Sequence, residues 1–475
     1  MARAKKSIFR RILWLTFTVV LVCAAVAALR GWNYASIYYL ESTPPELAFV
    51  SAPLGIGLDA KKVSLVVKDS GAGLDEILVR FRQGSENRIL LKQQLGSLFS
   101  TQPRTHEAQL EFELPGKEPW LRQAEAQLSV TAFDRSLRGN KSALELKLPV
   151  SFSRPEISAI SPQHNAVAGG TQLAIYRQHG GLNVESGVQV GERFFKGYPA
   201  RLWDPAFARE PDIYFALFAI PLSGSEPSPT PRLLAKDQIG NTGTSGIHFR
   251  LRNARPAERQ LALSREFIRG TLQPLLLRRQ QLPESAIPSE AQVFERVNQG
   301  FRQEDERILS EVFARSSPER YWQGNFARAA GRQVAGFGDR RSYTLEGVSI
   351  GSSQHWGVDL ASTQQMPIFA ANSGKVAYVG ELAVYGSTVV IDHGFGLSTL
   401  YAHLSSTQVS LGQSLAAGEQ LGRSGASGLA EGDHLHFEIR VQGVPVLPIE
   451  WWDGRWVQDH VERKLEAAKK LLGIG

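Results

Sequence analysis

The sequence predicts a mostly β protein: one N-terminal transmembrane helix, two tandem β-sandwich-like modules, a helical connector and a C-terminal antiparallel β domain. Three observations predict it. An uncharged apolar run lies near the N-terminus, β-rich segments recur with a period of about 100 residues, and a glycine-rich region with clustered histidines follows them. A chain of 475 residues has room for about three domains. Its 43% hydrophobic and 21% charged residues are the ordinary balance of globular protein.

The run from Ile12 to Leu29 carries no charged residue. As a helix, its 18 residues span about 27 Å, close to the thickness of a bilayer core. Arg3, Lys5, Lys6, Arg10 and Arg11 precede it. This predicts a cytoplasmic basic segment at 1–11 and a transmembrane anchor at 12–30, with the rest of the chain exported. A cleaved signal peptide is the competing reading, with Ala25-Val26-Ala27 as its site, but the apolar core of a signal is about 7–15 residues. Cys23, the only cysteine, lies inside the run and can form no internal disulfide. Six of the seven net positive charges belong to those five residues and Arg30, which leaves residues 31–475 near neutral. Nucleic acid is therefore excluded as a partner.

Residues 31–44 read as a tether. The first β module, 45–155, is drawn from runs such as Val63-Ser64-Leu65-Val66-Val67, Glu76 to Phe81 and the strictly alternating Leu144 to Leu148. Its turn spacing is that of an immunoglobulin-like sandwich. A second β module covers 156–253. Asp134 with Gly139-Asn140 is echoed by Asp237 with Gly240-Asn241, as expected of tandem modules.

The segment 257–330 is rich in Arg, Gln, Glu and Leu. Val293, Val297 and Phe301 recur every fourth residue, as do Ile308 and Val312, which predicts amphipathic helices. A helical connector is the plain reading, and a lid occluding the next domain is the sharper one. The C-terminal domain is placed at 335–456. A helix at 457–475 is expected to carry Lys464, Lys469 and Lys470 on its polar side.

Three short patterns carry chemistry: His355-Trp356-Gly357-Val358-Asp359, Tyr401-Ala402-His403-Leu404 and His434-Leu435-His436-Phe437-Glu438. A catalytic zinc takes three protein ligands and keeps one position open, and imidazole and carboxylate suit it. In a strand, residues i and i+2 share a face, so His434 and His436 point to the same side. His355 and Asp359 are placed to supply further ligands. Spacing alone does not say which histidine ligates.

These motifs resemble the lysostaphin/LytM family of zinc endopeptidases, which has an H-x-x-x-D pattern, a YAHL-like segment and then HLHFE. Pro367 to Ala371, Gly374-Lys375-Val376, Tyr385-Gly386, Ile391 to Gly394 and Gly418 to Gly425 are similar as well. The resemblance covers about 335–453. It implies zinc as cofactor, with His355, Asp359 and His436 as ligands. It implies that His403 and His434 orient water and stabilise the transition state of metal-assisted amide hydrolysis. Asp433 stands where the family often has Pro. It reads as a tolerated loop residue, with a carboxylate that raises the basicity of His434 as the alternative. His393, in an Asp-His-Gly turn, reads as structural. Trp451, Trp452 and Trp456 read as packing at the domain edge, with the lining of a substrate groove as the alternative.

The function implied is hydrolysis of the peptide cross-links of bacterial peptidoglycan in cell-wall remodelling. The implied location is the inner membrane, single-pass, with the C-terminal domain in the periplasm or outside the cell. A non-catalytic regulator or scaffold of the hydrolysis machinery is the rival, in which the β modules bind cell-wall proteins. A peptidase acting on a protein is the other.

Overall fold

Apolar residues two apart become the inner faces of the strands. In Glu125–Asp134 the buried positions alternate, with Ala126, Leu128, Val130 and Ala132 inside. The computed structural model describes every residue except 1, 39, 98–102, 223–229, 282, 284–286 and 475, and describes no side chains for 2–13, 37 and 38. The fold is mostly β. Two units are distinguished: Met1–Arg154 with Gly181–Asn183 and Asp237–Asn241, and the remainder.

The first unit begins with the helix Ala2–Tyr38. Its segment Trp14–Ser36 is long and apolar enough to cross a membrane, and none of it is buried within the protein. Trp14, Leu15, Phe17, Val20 and Leu29 are each at least 60% exposed, an apolar surface all round the helix. Two sheets follow. One orders Glu46–Phe49, Lys61–Lys68 and Glu107–Leu114; the other orders Glu86–Gln94, Leu74–Gln83, Glu125–Asp134 and Lys141–Pro149. Leu65, Val67, Ile77, Val79, Phe81, Leu128 and Val130 form the core between them. The echoed turns close alike: Asn140 Nδ2 donates to Asp134 at 2.8 Å, and Asn241 Nδ2 donates to Asp237 at 2.9 Å. Local Asx chemistry explains why the same letters recur.

In the second unit, residues 156–252 build two four-stranded sheets and a short parallel pair. Their core is continuous with that of the C-terminal domain. Phe215 meets Phe395 edge-on at 4.8 Å, and Trp203 meets Trp322 at 5.5 Å. The indole of Trp451 is fully buried and donates to Thr171 at 3.1 Å. Trp451 is therefore a packing residue.

The segment expected to be helical opens with a strand. Glu258–Leu263 pairs in parallel with Arg340–Leu345, which pairs with Val348–Gln354. The strand was hidden because its partner lies far along the chain, and a parallel pairing leaves no hairpin turn to read. Helical structure then runs from Arg265 to Gln280 and from Glu290 to Phe313, with π-turns at Ile268–Leu272 and Arg296–Phe301. Ser264 caps the first helix and a Ser289–Gln292 capping box starts the second. Val293, Val297 and Phe301 are buried as their spacing predicts. Further on, Leu309 and Phe313 are the buried pair, and Ile308 and Val312 flank them.

The C-terminal domain is a ten-stranded sheet in which every pairing is antiparallel. Its centre sets Val358–Ala361, Leu435–Val441, Leu397–Thr407 and Gly386–Gly394 side by side. The helix Arg463–Leu472 packs on this unit by a face that includes Lys464. Contrary to expectation, Lys464 is only 6% exposed, and its ammonium donates to Gln172 at 3.0 Å and to the Leu173 carbonyl at 3.1 Å. Lys469 reaches Asp204 instead.

Candidate metal centre

Strand register assembles the site. Asp359 pairs directly with His436, and His436 pairs on its other side with Ala402, the neighbour of His403. His355 stands just after Val348–Gln354, four residues before Asp359. Gly357 between them is required by space. A Cβ there would lie 2.5 Å from the Phe437 carbonyl and 2.7 Å from the His436 ring. His403 has φ +58°, a strained conformation for a side chain of this size, held by the Tyr385 carbonyl that accepts its backbone N–H at 2.8 Å.

Three atoms converge. His355 Nε2 lies 2.9 Å from Asp359 Oδ1 and 2.9 Å from His436 Nδ1, and His436 Nδ1 lies 2.8 Å from Asp359 Oδ1. All three residues are buried, and together they could hold a metal ion. The remaining atoms of each are already engaged. His355 Nδ1–H donates to the Gly336 carbonyl at 2.7 Å, and His436 Nε2–H donates to Glu438 at 2.9 Å. Arg341 donates to Asp359 Oδ2 at 2.8 Å. Outer partners thus place the imidazole protons away from the centre and leave lone pairs facing inward, as in metal-ligating histidines. Donors on a tetrahedral zinc with bonds of about 2.0–2.1 Å stand about 3.3 Å apart, so a small expansion of this triangle accommodates the ion.

The three groups are electrostatically coupled, and an ion bound here takes the place of the proton that His436 shares with Asp359. Burial pushes Asp359 up, but His355 and His436 outweigh it and hold its carboxyl well below the usual range. Burial lowers His355. Burial also pulls His436 down, but hydrogen bonds to Asp359 and Glu438 prevail and raise it to about 9.

The other two histidines stand beside this cluster. The His403 ring is 4.8 Å from that of His434 and 5.7 Å from that of His436. His403 Nδ1–H donates to the Ser427 carbonyl at 2.8 Å, and His434 Nδ1–H donates to the Gly432 carbonyl at 2.8 Å. Each therefore has its second nitrogen available as a proton acceptor. His434 Nε2 is 3.8 Å from Asp359 Oδ1. Burial and the neighbouring histidines hold His403 well below its ordinary value, so it is a neutral base. All five residues line a cavity of about 450 Å³, and Arg341, Tyr343, Phe294 and Arg302 form part of its wall.

The remaining sequence candidates separate cleanly. His393 is fully buried, with Ser373 on one ring nitrogen and Thr399 on the other, so it has no free donor for a metal. Asp433 accepts from Ser424 at 2.5 Å and from the Gln365 backbone at 2.9 Å, and pins that loop. Sequence reasoning missed the roles of Glu438 and Arg440. The signal was present, since positions 434, 436, 438 and 440 alternate onto one face. Arg341 and Glu306 left no such signal.

A buried His-Asp-His set that could hold a metal ion stands beside two further histidines in an antiparallel β domain. Comparison with known sequences gives the family: residues 353–448 match peptidase family M23, so the C-terminal part of the chain is a peptidase family M23 domain. The chain is 40% identical over 95 residues to the DD-carboxypeptidase/endopeptidase Mpg of Neisseria meningitidis serogroup B, covering 20% of this chain and 22% of that protein. It is 33% identical over 147 residues to the peptidoglycan DD-endopeptidase ShyB of Vibrio cholerae, covering 31% of this chain and 33% of that one. The catalytic domain of lysostaphin from Staphylococcus simulans is 26% identical, with a TM-score of 0.22, over 26% of this chain and 92% of that domain. The matches to Mpg and ShyB thus span about a fifth to a third of those proteins.

Proposed function

We propose that this protein is a zinc-dependent endopeptidase that hydrolyses the peptide cross-links of bacterial peptidoglycan. The observation that carries the reading is the convergence of His355, Asp359 and His436 beside the base-competent pair His403 and His434. The M23 match and the relative ShyB, named a peptidoglycan DD-endopeptidase, support the substrate class.

His355 Nε2, Asp359 Oδ1 and His436 Nδ1 would hold one zinc ion. When bound, the ion supplies Lewis acidity to the scissile carbonyl and to a water molecule. The protein's own groups do the rest. The carbonyls of Ser427 and Gly432 fix the tautomers of His403 and His434, so that an Nε2 of this pair takes a proton as water attacks. The protonated ring then donates to the charge that develops on the tetrahedral carbon's oxygen or to the leaving amine. The cavity wall orients the peptide, and Arg341 keeps Asp359 in place.

The helix Ala2–Tyr38 is proposed as a single-pass inner-membrane anchor that leaves the M23 domain in the periplasm. The β modules are proposed as the surface for cell-wall protein partners. The test is to incubate residues 31–475 with purified sacculi and to identify the released muropeptides. Conversion of cross-linked dimers to monomers, abolished by a chelator and restored by zinc, is expected. Dimers left intact by zinc-loaded protein would refute the activity.

A further inference from the structure

Behind the face of His436 that looks to the cavity lies a chain of charges, buried as far as Arg440 and ending on the half-exposed Glu306, that reaches out of the matched family segment. His436 Nε2–H donates to Glu438 Oε1 at 2.9 Å. Glu438 is fully buried, and its other oxygen accepts from Arg440 Nε at 2.6 Å. The guanidinium of Arg440, 1% exposed, then forks onto Glu306, at 2.7 Å to Oε2 and 2.9 Å to Oε1. The Tyr385 hydroxyl joins the pieces. It lies 2.8 Å from Glu306, 3.1 Å from Glu438 and 2.9 Å from Arg440.

Glu306 does not belong to the 353–448 segment. It stands on the helix Arg302–Phe313 of the connector. Its neighbour Asp305, fully buried, accepts from the backbone N–H groups of Ala383 and Val384 at 2.8 and 2.6 Å. The helix is thereby locked in register on the domain, and Glu306 is delivered to Arg440.

We propose that Glu306 is a positioning residue of the metal centre, acting through Arg440 and Glu438 to keep the Nε2–H tautomer of His436 and so present Nδ1 to the ion. The inference rests on the zinc reading above. The physical reason is charge sharing. Glu438 accepts from both His436 and Arg440. With Glu306 present, two carboxylates share one guanidinium, and the trio keeps one net negative charge behind the ligand. Without Glu306, Arg440 draws on Glu438 alone. Glu438 then becomes a poorer acceptor for the imidazole N–H, and His436 a poorer ligand. A spacer helix would have no reason to place a carboxylate here, opposite a buried arginine two residues along the strand from Glu438, the hydrogen-bond partner of the ligand.

The experiment compares zinc affinity of the 31–475 protein by competition with a chromophoric chelator, for wild type, Glu306→Gln and Glu304→Gln. Glu304 is exposed on the same helix and serves as the control. Glu306→Gln is expected to weaken zinc binding about ten-fold, at the low end for an outer partner because it acts two residues beyond Glu438. Glu304→Gln should stay at the wild-type value. A second readout is the nitrogen NMR pattern of the His436 ring in the zinc-free protein. Recorded at a pH above about 9, where the ring is neutral, wild type should show the Nε2–H form, and Glu306→Gln a mixture of tautomers. If Glu306→Gln fails to fold, Glu306→Asp, which keeps the charge but shortens the reach, is measured in its place and should fall between the two. A folded Glu306 variant with wild-type zinc affinity and an unchanged His436 ring overturns the proposal. Wild-type protein that binds no zinc overturns the metal reading itself, which the wild-type arm reports separately.

Discussion

His403 and His436 are both buried imidazoles of one cluster, yet their hydrogen bonds give them different work. His436 has Glu438 on Nε2 and directs Nδ1 at Asp359 and His355. His403 has a carbonyl on Nδ1 and stands outside the triangle of donors. His436→Ala should therefore lose most bound zinc together with activity, as measured by metal content and muropeptide release. His403→Ala should keep about one zinc per chain and lose about 100- to 10,000-fold in rate, the range of a general acid–base group. Loss of zinc from a folded His403→Ala protein would show the roles to be misassigned. His393→Ala should keep metal but melt at lower temperature, because Ser373 and Thr399 would lose a buried partner. Glu450 offers a pH test. It is 7% exposed, and burial raises it to about 8 against an ordinary 4.5. A carboxyl raised on folding binds its proton more tightly in the native state. Its contribution is fully present below about pH 4.5 and lost as pH rises through about 8. Glu450→Gln should therefore leave the melting temperature at pH 5 nearly unchanged and raise it at pH 8.5. Equal shifts at both pH values would show that Glu450 does not titrate as its burial implies.

At the scale of elements, the site was legible because strand chemistry writes short-range patterns. The alternation in His434-Leu435-His436-Phe437-Glu438 places three side chains on one face, and one strand register then brings Asp359 to His436. What stayed hidden depends on distant partners. Glu306 and Arg440 are 134 residues apart, and nothing local marks Glu306 among the other acids of its helix. Lys464 looked like a polar-face residue because a helical pattern is blind to what the helix packs against. The strand Glu258–Leu263 was masked by its parallel partner. Asp305→Ala should remove two buried carboxylate–amide hydrogen bonds and destabilise the second unit by about 2–3 kcal/mol in denaturant titration. A fragment starting at Ala335 lacks Asp305 and Glu306. It should melt below the 31–475 protein and should not cleave a small peptide faster. Faster cleavage by a stably folded fragment would instead favour a lid.

For the whole molecule, the segment Trp14–Ser36 is long and apolar enough to cross a membrane, as the proposed anchor requires. Full-length protein should fractionate with the inner membrane, its C-terminus accessible from outside, and a chain starting at Pro45 should be soluble. A soluble mature form beginning near Ala28 would mark the helix as a signal peptide. The β class was readable from composition and periodicity, whereas the core shared between residues 156–252 and the M23 domain was not. Contacts such as Phe215 with Phe395 leave no trace in either segment alone. The most direct single measurement is the anomalous scattering of zinc-soaked crystals of residues 31–475, recorded at the zinc edge. One peak bonded to His355, Asp359 and His436, with an open position towards His403 and His434, is the expected result. A peak ligated by His403 or His434, or no peak within the cavity, would contradict a one-zinc hydrolytic centre.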